Sequence, residues 1–277
     1  MVIVGGGSAG WMAASILLHI MGRKGTRVTL IESSNVPTIG VGEGTVPLFR
    51  RFLEFLGITE AEFMQACHAT YKHGINFPGW TGNDEFATYF HPFNTPAFAS
   101  YEGDFFDHCN RRRRGEVIDT DPAGYFFNAE LARQRKAPAG PPPADPRQVG
   151  YAYHFDAGLL AEFLKQRALR LGITHIIDDV TGVVTGENGT ISHLVTAGHG
   201  NIIADFFIDC TGFARRLIGK CLGTDHLSYR PRMFNDSAVV MRSPLPPGED
   251  IPPFTESRAL RCGWAWRMRS ATRSCQS

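Results

Sequence analysis

The spacing of hydrophobic and polar positions changes several times along the chain, and each change marks an element. Val2-Ile3-Val4 is a continuous apolar run leading straight into Gly5-Gly6-Gly7-Ser8-Ala9-Gly10. The apolar stretch from Trp11 to Met21 suits a helix, and Arg27-Val28-Thr29-Leu30-Ile31 reads as a second buried strand that closes on Glu32. Phe49 to Leu56 predicts a helix stopped by Gly57, and Thr59-Glu60-Ala61-Glu62 is a capping-box pattern for the next one. Residues 71–93 are rich in Tyr, Phe and Trp and read as strands broken at Gly79, Gly82 and Pro92. Residues 104–135 read as helical, with interruptions near Gly115 and Pro122. Ala137 to Pro146 holds five prolines and one glycine, so 137–147 is expected to be a surface loop or linker.

Asp156 suits the N-cap of a helix running to Leu171, with Leu159, Leu160, Phe163, Leu164 and Leu171 as its apolar face. After Gly172 the period becomes two. Strands are expected near 173–177, 180–185, 190–196 and 201–209, with Asn188-Gly189 as a hairpin turn. The last strand ends in Asp209-Cys210-Thr211-Gly212. No internal repeat is visible. The assembly these elements favour is α/β, with a parallel core sheet and a three-stranded antiparallel crossover.

The bulk numbers narrow the class. The 277 residues are 43% hydrophobic and 20% charged, which describes a soluble globular chain with a sizeable core. A formal net charge of +1 gives no overall attraction to nucleic acid or to an anionic membrane. The run Trp11–Met21 is too short to span a bilayer, and a glycine turn stands where a secretion signal would need basic residues. The six cysteines (Cys67, Cys109, Cys210, Cys221, Cys262 and Cys275) form no CxxC. Reduced thiols in the cytoplasm are the expectation, with neither a disulfide framework nor a metal site.

Gly5, Gly7 and Gly10 fit G-x-G-x-x-G between a strand and a helix. The first glycine allows the tight turn, the second the approach of a pyrophosphate, and the third close helix–strand packing. Phosphates would lie on the helix N-terminus around Gly6, Ser8 and Ala9. Glu32 falls about twenty residues further on, where a carboxylate accepts from ribose hydroxyls. A dinucleotide site is therefore expected. The strand Ala204–Gly212, ending in Asp209 and Gly212, resembles the late strand that many FAD enzymes bring back beside the cofactor. No further βαβ repeat of the kind usual in NAD dehydrogenases is legible in 33–150, so FAD is favoured.

Together the stretches "IVGGGSAGWMAAS" (3–15), "IGVGEGTVP" (39–47), "YKHGINFPGW" (71–80), "YHFDAGLLAEFL" (153–164), "DCTGF" (209–213) and "GWAW" (263–266) resemble the flavin-dependent halogenases, the tryptophan halogenase family. The resemblance implies an FAD-binding Rossmann-like box of the glutathione-reductase and hydroxybenzoate-hydroxylase type over residues 1–266. It implies a loop at Gly40, Val41, Gly42 and Glu43 bordering the flavin ring, and Val180 near the adenine. Reduced FAD (FADH2) would come from a separate reductase, and halide and O2 would be co-substrates. In the family, hypohalous acid reaches a lysine that holds it by hydrogen bonding or as a haloamine, and an aromatic substrate then takes the halogen. Lys72 occupies that position. A small aromatic partner such as tryptophan or an indole follows, with no nucleic acid and no membrane, and a homodimer is compatible.

Other residues carry competing readings. Trp80, Phe77 and Phe86 would stack on an aromatic substrate or simply fill core. His154 and Asp156, at i and i+2, do not share a helix face, and His73 reads as positional. Arg111 to Arg114 reads as a solvated helix end. Past Trp266 the family pattern Gly-Trp-x-Trp-x-Ile-Pro gives way to Arg267-Met268-Arg269. The stretch 267–277 is therefore expected to be an aberrant tail, as from a frameshift or premature stop. A helical substrate region, the acidic partner of the lysine and the halide-site backbone would then be missing, and apolar surface would be left exposed. The alternatives are an FAD monooxygenase that inserts oxygen, or a flavin-binding remnant without turnover.

Overall fold

The computed structural model describes residues 1–36, 42–82, 87–95, 99–138, 149–233, 235–241 and 248–268. In chain order the elements begin with β1 (Val2–Val4), α1 (Ser8–Met21), β2 (Thr29–Glu32) and β3 (Gly42–Gly44). Next come α2 (Leu48–Phe55), α3 (Glu60–Cys67), β4 (Thr70–Lys72), β5 (Gly74–Pro78) and β6 (Thr88–Pro92). The middle of the chain forms α4 (Ala99–Arg113), α5 (Phe127–Arg133), β7 (Ala152–Asp156) and α6 (Ala157–Arg170). Then follow β8 (Thr174–Ile177), β9 (Val180–Thr185), β10 (Ile191–Thr196), β11 (Asn201–Ile203) and β12 (Phe207–Asp209). A last hairpin is β13 (Thr255–Leu260) with β14 (Gly263–Arg267). The chain divides into two compact units, Met1–Val41 with Ala157–Val239, and Gly42–Asp156 with Val240–Ser277.

The first unit is built on a sheet in the order β12-β1-β2-β8, parallel throughout. Its central strands carry Ile3, Leu30 and Ile31, each at most 1% exposed, as expected for strands buried on both faces. Helix α1 packs against α6, whose buried face is Ala157, Leu160, Ala161, Leu164 and Ala168. Leu171, placed on that face by the sequence pattern, instead lies past the helix end and is 61% exposed. Small alanines, not a third leucine, let the two helices approach. The crossover β11-β10-β9 is antiparallel, and Gly189 takes φ +77° in its turn. The strand expected over 201–209 is two strands: β11 completes the crossover, and β12 crosses back to pair with β1. The exposed turn around Asp205 separates them.

The second unit holds two further sheets, β3-β7-β4 and β14-β13-β5-β6, which the sequence pattern did not assemble. Its centre is aromatic: Phe63 and Phe155 meet edge-on at 5.4 Å, and Tyr153 lies 5.0 Å from Phe63. The hydroxyls of Tyr151 and Tyr153 both donate to Glu60 Oε1, at 2.8 and 2.7 Å. Helix α3 carries the capping box foreseen at Thr59 and Glu62. Thr59→Ala is expected to destabilise by about 1 kcal/mol, read as a lowered urea midpoint with an unchanged slope. Arg267, assigned to the tail by sequence, is the paired last residue of β14, opposite Glu256. Residues 269–277 and most of the proline-rich loop lie outside the described residues.

Candidate functional site

In the first unit, the carboxyl ends of β1, β2 and β12 converge on the glycine turn, the usual ligand edge of a parallel sheet. Gly5 has φ +115°, and a Cβ there would lie 2.2 Å from the Cys210 carbonyl oxygen. A Cβ on Gly6 would fall 1.7 Å from Glu32 Oε2, and one on Gly10 would fall 1.9 Å from the Gly5 carbonyl oxygen. The close approach of strand, turn and helix therefore forbids side chains at all three. Gly7 is different: among the described residues, a Cβ there would meet nothing within 4 Å. Gly7 is the N-cap of α1, has no side-chain cap, and no acidic residue stands in the first turn. Ser8 and Ala9 open that helix, and the Ser8 hydroxyl donates to the Ala157 carbonyl. An uncapped helix N-terminus facing open space suits an anionic pyrophosphate, so these residues fit a dinucleotide.

Glu32 is held by Lys165 at 3.0 Å and His175 at 2.8 Å, both through Oε1. Its other oxygen faces Gly6. Trp11 is 1% exposed and packs edge-on against His175. Asp209 accepts from the backbone N–H of Thr211, Leu217 and Ile218 and from the Thr211 hydroxyl. These bonds shape the turn carrying Gly212, which adopts φ +58°. Val180 is buried at the start of β9, and its carbonyl accepts from Arg216. Of the loop expected beside the flavin ring, Gly42 and Glu43 form exposed positions of β3, while Gly40 and Val41 lie outside the described residues.

In the second unit, Lys72 is 4% exposed. The backbone dictates this. Lys72 ends β4 opposite Ala152 of β7. The next residue, His73, donates its N–H to the Pro253 carbonyl at 2.7 Å and accepts from the Phe93 N–H at 2.7 Å. Chain thus crosses on both sides of the lysine. Its ammonium donates to the Thr45 carbonyl at 3.1 Å and lies 5.5 Å from the centre of the Phe93 ring. Among the described residues no carboxylate pairs with it, and burial lowers its pKa from 10.5 to about 8.

A point beside the amine gathers three groups. A side-chain carbon on Gly44 would lie 3.2 Å from Lys72 Nζ, 3.3 Å from Thr255 Oγ1 and 3.3 Å from Met268 Sδ. Thr255 Oγ1 is 2.8 Å from Nε2 of His154, which is 1% exposed. Burial first, and the charge of Lys72 second, lower the His154 pKa to about 3, so the ring is neutral near pH 7. Among the described residues its Nδ1 has no hydrogen-bond partner. His73 is equally buried, with Nε2 on the Lys136 carbonyl.

The sequence singles out Lys72 through its family resemblance but gives no sign of Thr45, Phe93, Thr255 or Met268. No local signal marks them, because they reach the amine from four separate segments. Trp80 is half-exposed, donates to the Ser257 carbonyl at 2.7 Å and lies 6.3 Å from Trp264. Phe77 stacks on Tyr89 at 4.9 Å. Both rings are thus engaged by the sheet, and Phe86 lies outside the described residues. Arg111 pairs with Glu116 at the exposed end of α4. The cysteines described are free, and burial raises the Cys67 thiol to about 12. No described helix is long and apolar enough to cross a membrane.

A parallel dinucleotide-type sheet with an antiparallel crossover in one unit, and in the other a buried lysine with no carboxylate partner among the described residues, have counterparts among flavin-dependent halogenases. The tryptophan halogenase family model matches residues 1–274, and the chain belongs to that family. Tryptophan 6-halogenase SttH of Streptomyces toxytricini is 38% identical over 96% of this chain and 54% of its own length. Tryptophan 7-halogenase RebH of Lentzea aerocolonigenes is 36% identical over 96% of this chain and 52% of its own. The crystal structure of the Streptomyces toxytricini enzyme superposes with a TM-score of 0.81, covering 96% of this chain and 52% of that one. The chain spans about half the length of these relatives.

Proposed function

We propose that this chain provides the cofactor-binding and lysine-bearing parts of an FADH2-dependent halogenase for a small aromatic substrate of the tryptophan or indole class. The observation that carries the reading is Lys72: an amine 4% exposed, with a pKa of about 8 and an aromatic ring at 5.5 Å. Reduced FAD, delivered by a separate reductase and supplied with O2 and halide, would provide hypohalous acid. Gly5, Gly6, Gly7, Ser8, Ala9 and Gly10 would hold the pyrophosphate, Glu32 through its Gly6-facing oxygen the ribose, and Val180 with Gly212 the neighbouring edge. Gly40, Val41, Gly42 and Glu43 would border the flavin ring, and Asp209 shapes the turn that carries Gly212.

The surroundings of Lys72 support that role. A buried amine without a carboxylate partner among the described residues keeps a sizeable neutral fraction near pH 8. The neutral lone pair takes the halogen and passes it to the aromatic carbon. The Thr45 carbonyl fixes the amine by accepting one N–H, and Phe93 walls it from water. The test supplies the purified chain with FAD, a flavin reductase, NADH, O2, chloride or bromide, and a panel of indoles. A product heavier by one halogen, seen by mass spectrometry, is expected. A product heavier by oxygen, or bound flavin with no product, would overturn the reading.

A further inference from the structure

Met268 enters none of the steps above, yet it lies beside the amine that the proposed function loads with oxidised halogen. It follows β14 directly, is half-buried, and reaches back along β3. Its Cε is 4.0 Å from where a Cβ on Gly42 would sit, and its Sδ is 3.3 Å from the corresponding point on Gly44, within 3.2 Å of which Lys72 Nζ also lies. Because Gly44 has no side chain, no carbon occupies that shared point within reach of both sulfur and nitrogen. A thioether is soft and polarisable, and its oxidation to the sulfoxide is a facile protein modification.

We propose that Met268 is an oxidation site fed by Lys72: hypohalous acid or a haloamine at the lysine transfers its halogen to the Met268 sulfur, which ends as the sulfoxide. The inference rests on the proposed role of Lys72. A sulfur lone pair forms a bond to the halogen while the nitrogen–halogen bond breaks, its electron pair staying on nitrogen. Water then attacks sulfur and halide leaves. The sum is thioether plus haloamine plus water giving sulfoxide, free amine, a proton and halide. Sulfur is oxidised by two electrons and the halogen is reduced to halide. With hypohalous acid itself, thioether and acid give sulfoxide, a proton and halide. Each such event consumes one equivalent of oxidant that would otherwise reach the substrate, and it alters the surroundings of the amine by placing a polar oxygen there.

The test adds the oxidant as a reagent, so it does not depend on flavin. The full chain is treated with less than one equivalent of hypochlorite, quenched and digested. Sulfoxide is then measured by mass spectrometry at Met268, Met233 and Met241. Met233 and Met241 are 66% and 88% exposed and serve as internal references for reaction with bulk oxidant. Met268 is expected to oxidise at least as readily as these more exposed residues. In Lys72→Leu and Lys72→Arg its sulfoxide fraction should fall severalfold while the two references stay constant. Should the apolar variant unfold, sulfoxide at Met12 and Met64 would rise with the others, and Lys72→Arg, which keeps bulk and charge, decides. Met268 tracking the references in all the folded proteins, or remaining unoxidised, would overturn the inference. Failure of the flavin assay to give halogenated product would count against the proposed function and leave this measurement standing.

Discussion

Lys72→Arg is expected to reduce halogenated product by about a hundredfold or more, the scale of losing a nucleophilic or proton-transferring group, with flavin binding unchanged. Arginine keeps the cation and much of the volume, so loss of product would trace to the missing neutral amine and not to a cavity. The wild-type pH dependence provides the companion signature. With a pKa of about 8, the neutral fraction of Lys72 grows roughly tenfold between pH 7 and pH 9, and the halogen-transfer rate under single turnover should grow with it. A lysine acting solely as a charged hydrogen-bond donor would show the opposite slope. His154 faces the same space but stays neutral across that range, its pKa lying near 3. Stability moves in the same direction. The folded state releases the Lys72 proton near pH 8 and the unfolded state only near 10.5. The unfolded chain therefore binds more protons in between, and stability contributed by this group rises with pH through that window. A halogen-transfer rate that is flat from pH 7 to 9, or product surviving in Lys72→Arg, would remove the lysine from the chemistry.

The glycine turn and the buried lysine were unequally legible in sequence. The glycine turn announces itself locally, since an apolar strand, three spaced glycines, a helix and an acid lie within a few tens of residues. Steric contacts account for Gly5 and Gly10 of that pattern and for the intervening Gly6, whereas Gly7 has open space over it and is left to a ligand-based reason. Lys72 is the reverse case. By pattern alone it is one polar residue in a short strand, and nothing within a few positions explains burying it. The resemblance to a family singled it out. Its burial comes from Ala152, Phe93 and Pro253, distant in sequence and brought near by strand pairing and by hydrogen bonds to His73. Strand β7 was missed because burial on both faces removes the alternation that would reveal it: Ala152 to Phe155 are all buried. The division of 201–209 into β11 and β12 was hidden for a related reason. An apolar stretch looks continuous whether or not the chain changes sheet at Ala204 and Asp205.

Two glycines of the opening turn should fail in different ways, and the contrast tests the nucleotide site. Gly10→Ala forces a carbon to within 1.9 Å of the Gly5 carbonyl oxygen, a backbone atom that no rotamer change can move. The α1 N-terminus must shift off β1, so both the unfolding midpoint and flavin retention are expected to drop. Gly7→Ala meets nothing within 4 Å among the described residues, and Gly7 holds φ −75°, which any L-residue adopts. Folding should be unaffected, or slightly favoured through the loss of unfolded-chain entropy. Yet the added methyl occupies the open approach to the free N–H groups of α1, where the pyrophosphate would lie against the helix dipole. A weakening of FAD binding by about tenfold or more, on the order of 1.4 kcal/mol, is expected by fluorescence titration at an unchanged unfolding midpoint. Equal flavin affinity in Gly7→Ala and wild type would mean that the phosphates do not use this turn. The open space over Gly7 would then need another explanation, whatever the chemistry at Lys72.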